Sequence, residues 1–140
     1  MYSHADFFVE FSRTNRPFTT ELNRLLEKHD LSSSYWRVLR IIEKSEVTPF
    51  GFISDVLQIE KPALTKIIKK LSDIQLVTIH RGDDKREKLV ALTTLGSHKM
   101  ADLRKELAPF LQHALTGVSQ EQIDQTIDVL QIIQNNIKNY

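Results

Sequence analysis

Lys61, Thr65, Lys66, Lys69 and Lys70 recur at helical spacing along one side of a segment, and Lys85, Arg86 and Lys88 follow close behind it. Ammonium and guanidinium groups donate hydrogen bonds and accept none, so their natural partners are phosphate oxygens and the acceptor edges of bases. Lysine can donate to guanine O6 and N7, and the threonine methyl can meet the methyl of thymine. Residue type alone leaves open which of them meet bases and which meet phosphates. The chemistry on offer is recognition of a nucleic acid rather than bond making.

The elements that carry these groups can be read from periodicity. A helix is expected from about Lys61 to Asp73, with Ala63, Leu64, Ile67, Ile68 and Leu71 on its apolar side and the cations opposite. Leu76 to Arg81 and Glu87 to Leu92 are rich in strand formers and flank a Gly82-to-Arg86 turn, which predicts a β-hairpin carrying Lys85, Arg86 and Lys88 at its tip. Thr48-Pro49 predicts a cap and a first helical residue for a short helix bearing Phe52, Ile53, Val56 and Leu57. Only Gln58-Ile59-Glu60 separates it from the lysine helix, so the pair is expected to be a helix-turn-helix whose second member enters the major groove.

Charge is segregated accordingly. Residues 61 to 88 hold eight Lys or Arg against four Asp or Glu, leaving eleven against fourteen in the rest of a chain whose net charge is only +1. Lysines on one helix are ordinarily a solvated face. Their concentration beside a basic hairpin is the footprint of a phosphate-binding surface.

Around this lobe the pattern is helical. Phe7, Phe11, Phe18, Leu22, Leu25 and Leu26 predict one long N-terminal helix, bent at Pro17. Leu31-Ser32-Ser33-Ser34 supplies an N-cap for a helix carrying Trp36, Val38, Leu39, Ile41 and Ile42 and ending near Glu46. Thr93 caps a long helix through Leu95, Met100, Leu103, Leu107, Phe110 and Leu111, which Gly117 ends. Ser119-Gln120-Glu121-Gln122 is a capping box for a last helix bearing Ile123, Ile127, Leu130 and Ile137.

The fold class is therefore mainly α with a small β-wing: a six-helix winged helix-turn-helix in one compact chain. Residues 31–93 would form the DNA-binding lobe, and residues 1–30 and 94–140 the dimerisation helices. Phe7, Leu103, Leu107, Phe110, Leu111, Ile123, Ile127, Leu130 and Ile137 make up more apolar surface than a small winged core absorbs, so a homodimer interface is expected there. The other reading has these helices packing only on their own domain.

Composition narrows the classes further. With 140 residues, 41% hydrophobic and 26% charged, the chain is long enough for one well-packed core. It has no cysteine, which excludes disulfides, thiolate metal sites and a catalytic thiol. His4, His29, His80, His98 and His113 are scattered without ligand spacing, so neither metal nor cofactor is expected. Four glycines and no nucleophile-elbow or phosphate-loop motif leave an enzyme without support. The first ten residues lack the basic start and apolar core of a signal peptide, so the cytoplasm is the expected location.

Asp84-Lys85-Arg86-Glu87-Lys88-Leu89-Val90-Ala91-Leu92-Thr93-Thr94-Leu95-Gly96 resembles the wing signature of the multiple-antibiotic-resistance regulator (MarR) family at every fixed position. Residues 31–39 and 61–71 resemble that family's second helix and recognition helix. The resemblance implies a dimeric winged helix-turn-helix repressor on a pseudo-palindromic operator. It implies that Arg86 enters the minor groove, with Asp84 holding it or a neighbouring group, and that Lys61, Thr65, Lys66 and Lys69 face the major groove. Lys85 and Lys88 would contact phosphate. It further implies release by a small aromatic or anionic molecule near Phe8, Phe11, Arg16, Trp36, Arg37 and Arg40. Two residues depart from the pattern: Glu60 where a hydroxyl cap is usual, and Gln75 where a glycine closes the recognition helix. The alternative is a winged-helix module that binds another protein without an operator.

Overall fold

The computed structural model describes residues 1–84 and 86–140. Six α-helices and three short strands follow in the order α1 (His4–Leu26), α2 (Ser33–Ile42), β1 (Thr48–Pro49), α3 (Phe50–Leu57), α4 (Lys61–Asp73), β2 (Val77–Arg81), β3 (Lys88–Leu92), α5 (Thr94–Ala114) and α6 (Gln120–Lys138), with a 3-10 turn at Glu27–His29. Two compact units result, Met1–Leu107 and Ala108–Tyr140.

The first unit holds the core. Leu22 and Leu26 of α1, Val38, Leu39 and Ile42 of α2, Ile53 of α3, Leu64, Ile68 and Leu71 of α4, Val77 and Val90 of the sheet, and Met100, Leu103 and Leu107 of α5 are buried. In the second unit α6 has no buried residue, although its Ser119–Gln122 capping box forms as its sequence dictates. No helix among the described residues is long and apolar enough to cross a membrane.

Several local expectations change. α1 begins with a capping box between Ser3 and Asp6 and continues through Pro17 to Leu26. α2 ends at Ile42, and Ser32 makes no side-chain cap bond. Instead the Ser33 N–H donates to Asn23 Oδ1 of α1 at 2.7 Å, a tertiary partner doing the work of a local cap. Thr48 and Pro49 form a third strand, paired antiparallel to β3 in the order β1-β3-β2, and α3 starts one residue later at Phe50. Proline is tolerated there because β1 is an edge strand, and two residues are too few to show period-two alternation.

Thr48 Oγ1 is buried without a hydrogen-bond partner among the described residues. An unpaired buried hydroxyl loses its water without compensation. Thr48→Val should therefore raise the unfolding free energy by about 1 kcal/mol. A lower urea midpoint for the variant would mean that the hydroxyl is satisfied.

α5 is tied to the end of α1 by a mixed charge cluster. Glu106 accepts from Lys28 and from His29 Nε2–H, while His29 Nδ1 accepts from the Lys99 ammonium at 3.2 Å. The hydrogen bond from Lys28, followed by that from His29, holds the Glu106 carboxyl below its ordinary value of 4.5, against the opposing effect of desolvation. A depressed carboxylate stabilises the fold above its unfolded pKa, and the contribution disappears as pH falls through the folded one. The Tm difference between the wild type and Glu106→Gln should thus be present near neutrality and shrink as the pH falls below the ordinary carboxyl value of 4.5. A gap that stays constant down to acid pH would remove this role.

Candidate nucleic-acid interface

The lysine helix reaches its position through a tight corner. Gln58 adopts the left-handed conformation (φ 52) and its N–H closes α3 on Ser54 O; the Ile59 N–H donates to the same carbonyl at 3.1 Å. α4 then begins with Glu60 as N-cap, without a side-chain cap bond, and with Pro62 in its first turn. Proline has no N–H, so one of the donors a cap would satisfy is already gone. At the other end Gln75 takes φ 65, the conformation for which glycine is the usual choice. Its carbonyl accepts the Thr93 hydroxyl at 2.6 Å, which fastens the turn to the start of α5.

α4 turns Leu64, Ile68 and Leu71 into the core and leaves Lys61, Thr65, Lys66 and Lys69 exposed. Ala63 is exposed as well, at the border of the apolar face. Lys70 departs from expectation. It is half-buried, its ammonium lies 3.3 Å from Asp30 Oδ2, and it sits 5.5 Å from the centroid of the Tyr35 ring. Lys70 stands on the flank of the helix, where an aromatic face and a carboxylate attract its charge away from the outer side.

β2 and β3 pair in register from Val77↔Leu92 to Arg81↔Lys88. The turn beyond is closed by Gly82 N–H to Glu87 O and Glu87 N–H to Asp84 O, both at 2.9 Å. Asp84 Oδ1 accepts the Arg86 backbone N–H at 3.0 Å. The carboxylate thus orders the turn through the main chain and leaves the exposed Arg86 side chain available to a ligand. Lys85 lies outside the described residues.

Helix and wing converge on one groove of about 430 Å³, lined by Pro49, Phe50, Gly51, Lys61, Leu64, Thr65, Arg86, Glu87 and Lys88. Four of the predicted contact residues, two from α4 and two from the wing, face this common space. Lys66 and Lys69 extend the basic face along the exposed side of α4. Pro49, Phe50, Leu64 and Glu87 were not legible as groove residues, since only the pairing of β1 with β3 brings the start of α3 to the wing.

The remaining candidates separate by burial. Phe8, Phe11 and Arg16 are exposed along α1, Trp36 and Arg37 are half-buried on α2, and Arg40 is exposed and bonded to Glu43 at 2.6 Å. Arg37 reaches Thr19 Oγ1 on α1 at 3.5 Å. Among the apolar candidates Phe7, Ile127 and Ile137 are exposed, and Phe110, Leu111, Ile123 and Leu130 are half-buried. Leu103 and Leu107 are corrected. Both are buried in the folded chain, at 0% and 2% exposure, and their side chains are already packed where no second copy could meet them.

A family model described as "MarR family" matches residues 31–88. An uncharacterized HTH-type transcriptional regulator of Staphylococcus aureus is 34% identical over 129 residues, covering 89% of this chain and 88% of that protein. A solved structure of S. aureus MarR in complex with salicylate and kanamycin superposes with a TM-score of 0.76 at 32% identity, covering 96% of this chain and 92% of that one. A mutant of Escherichia coli MarR complexed with operator DNA has a TM-score of 0.75 at 20% identity, covering 94% and 99%, a likeness of fold.

Proposed function

The chain belongs to the MarR family of HTH-type transcriptional regulators, and from that premise we propose that it is a homodimeric, sequence-specific repressor acting on operator DNA in the cytoplasm. The observation that carries the reading is the groove shared by α4 and the wing, with Lys61 and Thr65 on one wall and Arg86 and Lys88 on the other. α4 supplies the major-groove contacts and Arg86 the minor-groove contact. A narrow minor groove concentrates negative potential and favours an inserted guanidinium. Residues 31–93 serve DNA recognition, and residues 1–30 and 94–140 serve dimerisation.

The second copy follows from unsatisfied apolar surface. Phe7, Phe8, Val9 and Phe11 on α1 are 42 to 55% exposed, and Ile127, Val129, Ile132 and Ile137 on α6 are 44 to 64% exposed. Apolar stripes of that extent on two helices are an interface in search of a partner. A two-fold dimer would set the two recognition helices one DNA turn apart, about 34 Å. Ile127→Asp should shift the protein to monomer in sedimentation, because an unpaired charge is costly to bury; a mutant that remains dimeric excludes Ile127 from the interface.

A small aromatic anion is the effector class this reading favours, with Phe8, Phe11, Arg16, Trp36, Arg37 and Arg40 as its candidate surroundings. The S. aureus relative solved with salicylate makes that anion the first to try.

The test is binding to fluorescent DNA from the region upstream of its own gene, titrated at two salt concentrations against mixed-sequence competitor. Tight binding that prefers the upstream DNA and weakens steeply with salt is expected, since each neutralised phosphate releases counterions. Equal, weak and salt-insensitive binding to both DNAs overturns the repressor in favour of a protein-binding module.

A further inference from the structure

The strand register brings one more cation to the DNA side of the wing. Arg81 is paired directly with Lys88 across the β2–β3 ladder, Ile79 with Val90, and Val77 with Leu92. Side chains of directly paired residues leave a sheet on the same face. Val77 and Val90 are buried at 2% and 0% exposure, which marks that face as the inner one. Beyond them the same face continues outward through Ile79, which is 46% exposed, to the Arg81–Lys88 pair. Lys88 lines the groove together with Lys61, Thr65 and Arg86. Arg81 therefore stands on the groove side of the wing, with its Cβ about 5 Å from that of Lys88.

We propose that Arg81 and Lys88 together hold one DNA phosphate, and that Arg81 is thereby a positioning residue for Arg86. The proposal rests on the operator-binding reading above and adds a residue to it. A phosphate received between two cationic side chains that face each other across a ladder can accept charge-assisted hydrogen bonds from both. The ladder and the three hydrogen bonds of the turn fix the Arg81 backbone relative to that of Arg86. A phosphate seated at Arg81 thus sets the angle and depth at which Arg86 meets the minor groove.

The test uses the full-length protein, with Arg81→Gln and Arg81→Lys variants, a mixed-sequence duplex, and the upstream duplex. Anisotropy titrations across about 0.05 to 0.2 M salt give both affinity and its salt slope. Arg81→Gln should bind both duplexes roughly five- to tenfold more weakly, with a log–log slope smaller by about one, and Arg81→Lys should restore the slope. Tm should be that of the wild type. Wild-type affinity and slope in Arg81→Gln on the mixed duplex overturn the proposal, as does a loss of affinity at unchanged slope, which would mark a merely structural side chain. Failure of the repressor reading shows separately, in a wild type that binds both duplexes alike; the phosphate contact is then still read from the mixed duplex. A wild type that binds neither duplex ends both.

Discussion

Gly96→Ala should cost the fold on the order of 3 kcal/mol, the upper range for overpacking. Helix propensity alone argues the reverse, since alanine is favoured over glycine inside a helix by about 1 kcal/mol. Geometry decides the sign. A Cβ at Gly96 would lie 2.0 Å from Leu76 O, 3.0 Å from Leu76 C and 3.2 Å from Leu92 Cδ2. The obstructing atoms are mostly backbone, and that backbone is already committed: Leu76 O accepts the Thr93 N–H at 3.0 Å, and Thr93 Oγ1 bonds both the Gln75 carbonyl and the Gly96 N–H. The exit of α4, the start of β2 and the first turn of α5 meet here, so a shift large enough to admit a methyl would break several hydrogen bonds. Urea denaturation followed by circular dichroism measures the effect. A wild-type midpoint for Gly96→Ala would mean that the close approach to Leu76 does not exist in solution.

Arg86→Ala should weaken binding to upstream DNA by about 1 to 3 kcal/mol, roughly five- to 150-fold, with Tm and sedimentation unchanged. Arg86 is exposed at the wing tip, and its local order comes from the backbone bond to Asp84, which truncation of the side chain leaves intact. Loss of affinity can therefore be assigned to the guanidinium. Arg86→Lys should recover only part of it, because a compact and strongly hydrated ammonium fits a narrow minor groove less well than a planar guanidinium. If Arg86→Ala binds as tightly as the wild type, the wing does not read the groove, and α4 alone must account for affinity.

Much of the lobe was legible because its signals are local. Capping, apolar periodicity and turn residues act within a few positions, so α4 appears at Lys61–Asp73 as read, the hairpin forms around the Gly82–Arg86 turn, and Ser119 and Gln122 make the capping box their spacing dictates. The outward positions of Lys61, Thr65, Lys66 and Lys69 follow from the same periodicity. These residues and the Arg86 tip needed nothing beyond the order of amino acids.

What escaped that reading depends on partners distant in the chain. Periodicity tells which side of a helix faces inward but not what waits at its edge, so it groups Lys70 with the outward lysines and is silent on the Tyr35 ring and Asp30 carboxylate beside it. It cannot tell whether an apolar side chain meets its own core or a second copy, since both want the same residues; Leu103 and Leu107 belong to the core, while Ile127 and Ile137 stay exposed. Strand parity likewise says nothing about the sheet face until the register is known, and the register is what puts Arg81 beside Lys88 on the groove side. Short-range order in the chain specified the elements and their chemical faces. Contacts between residues far apart in sequence assigned each flank position its neighbour, because hydrogen bonds, burial and charge pairing act on distance in space.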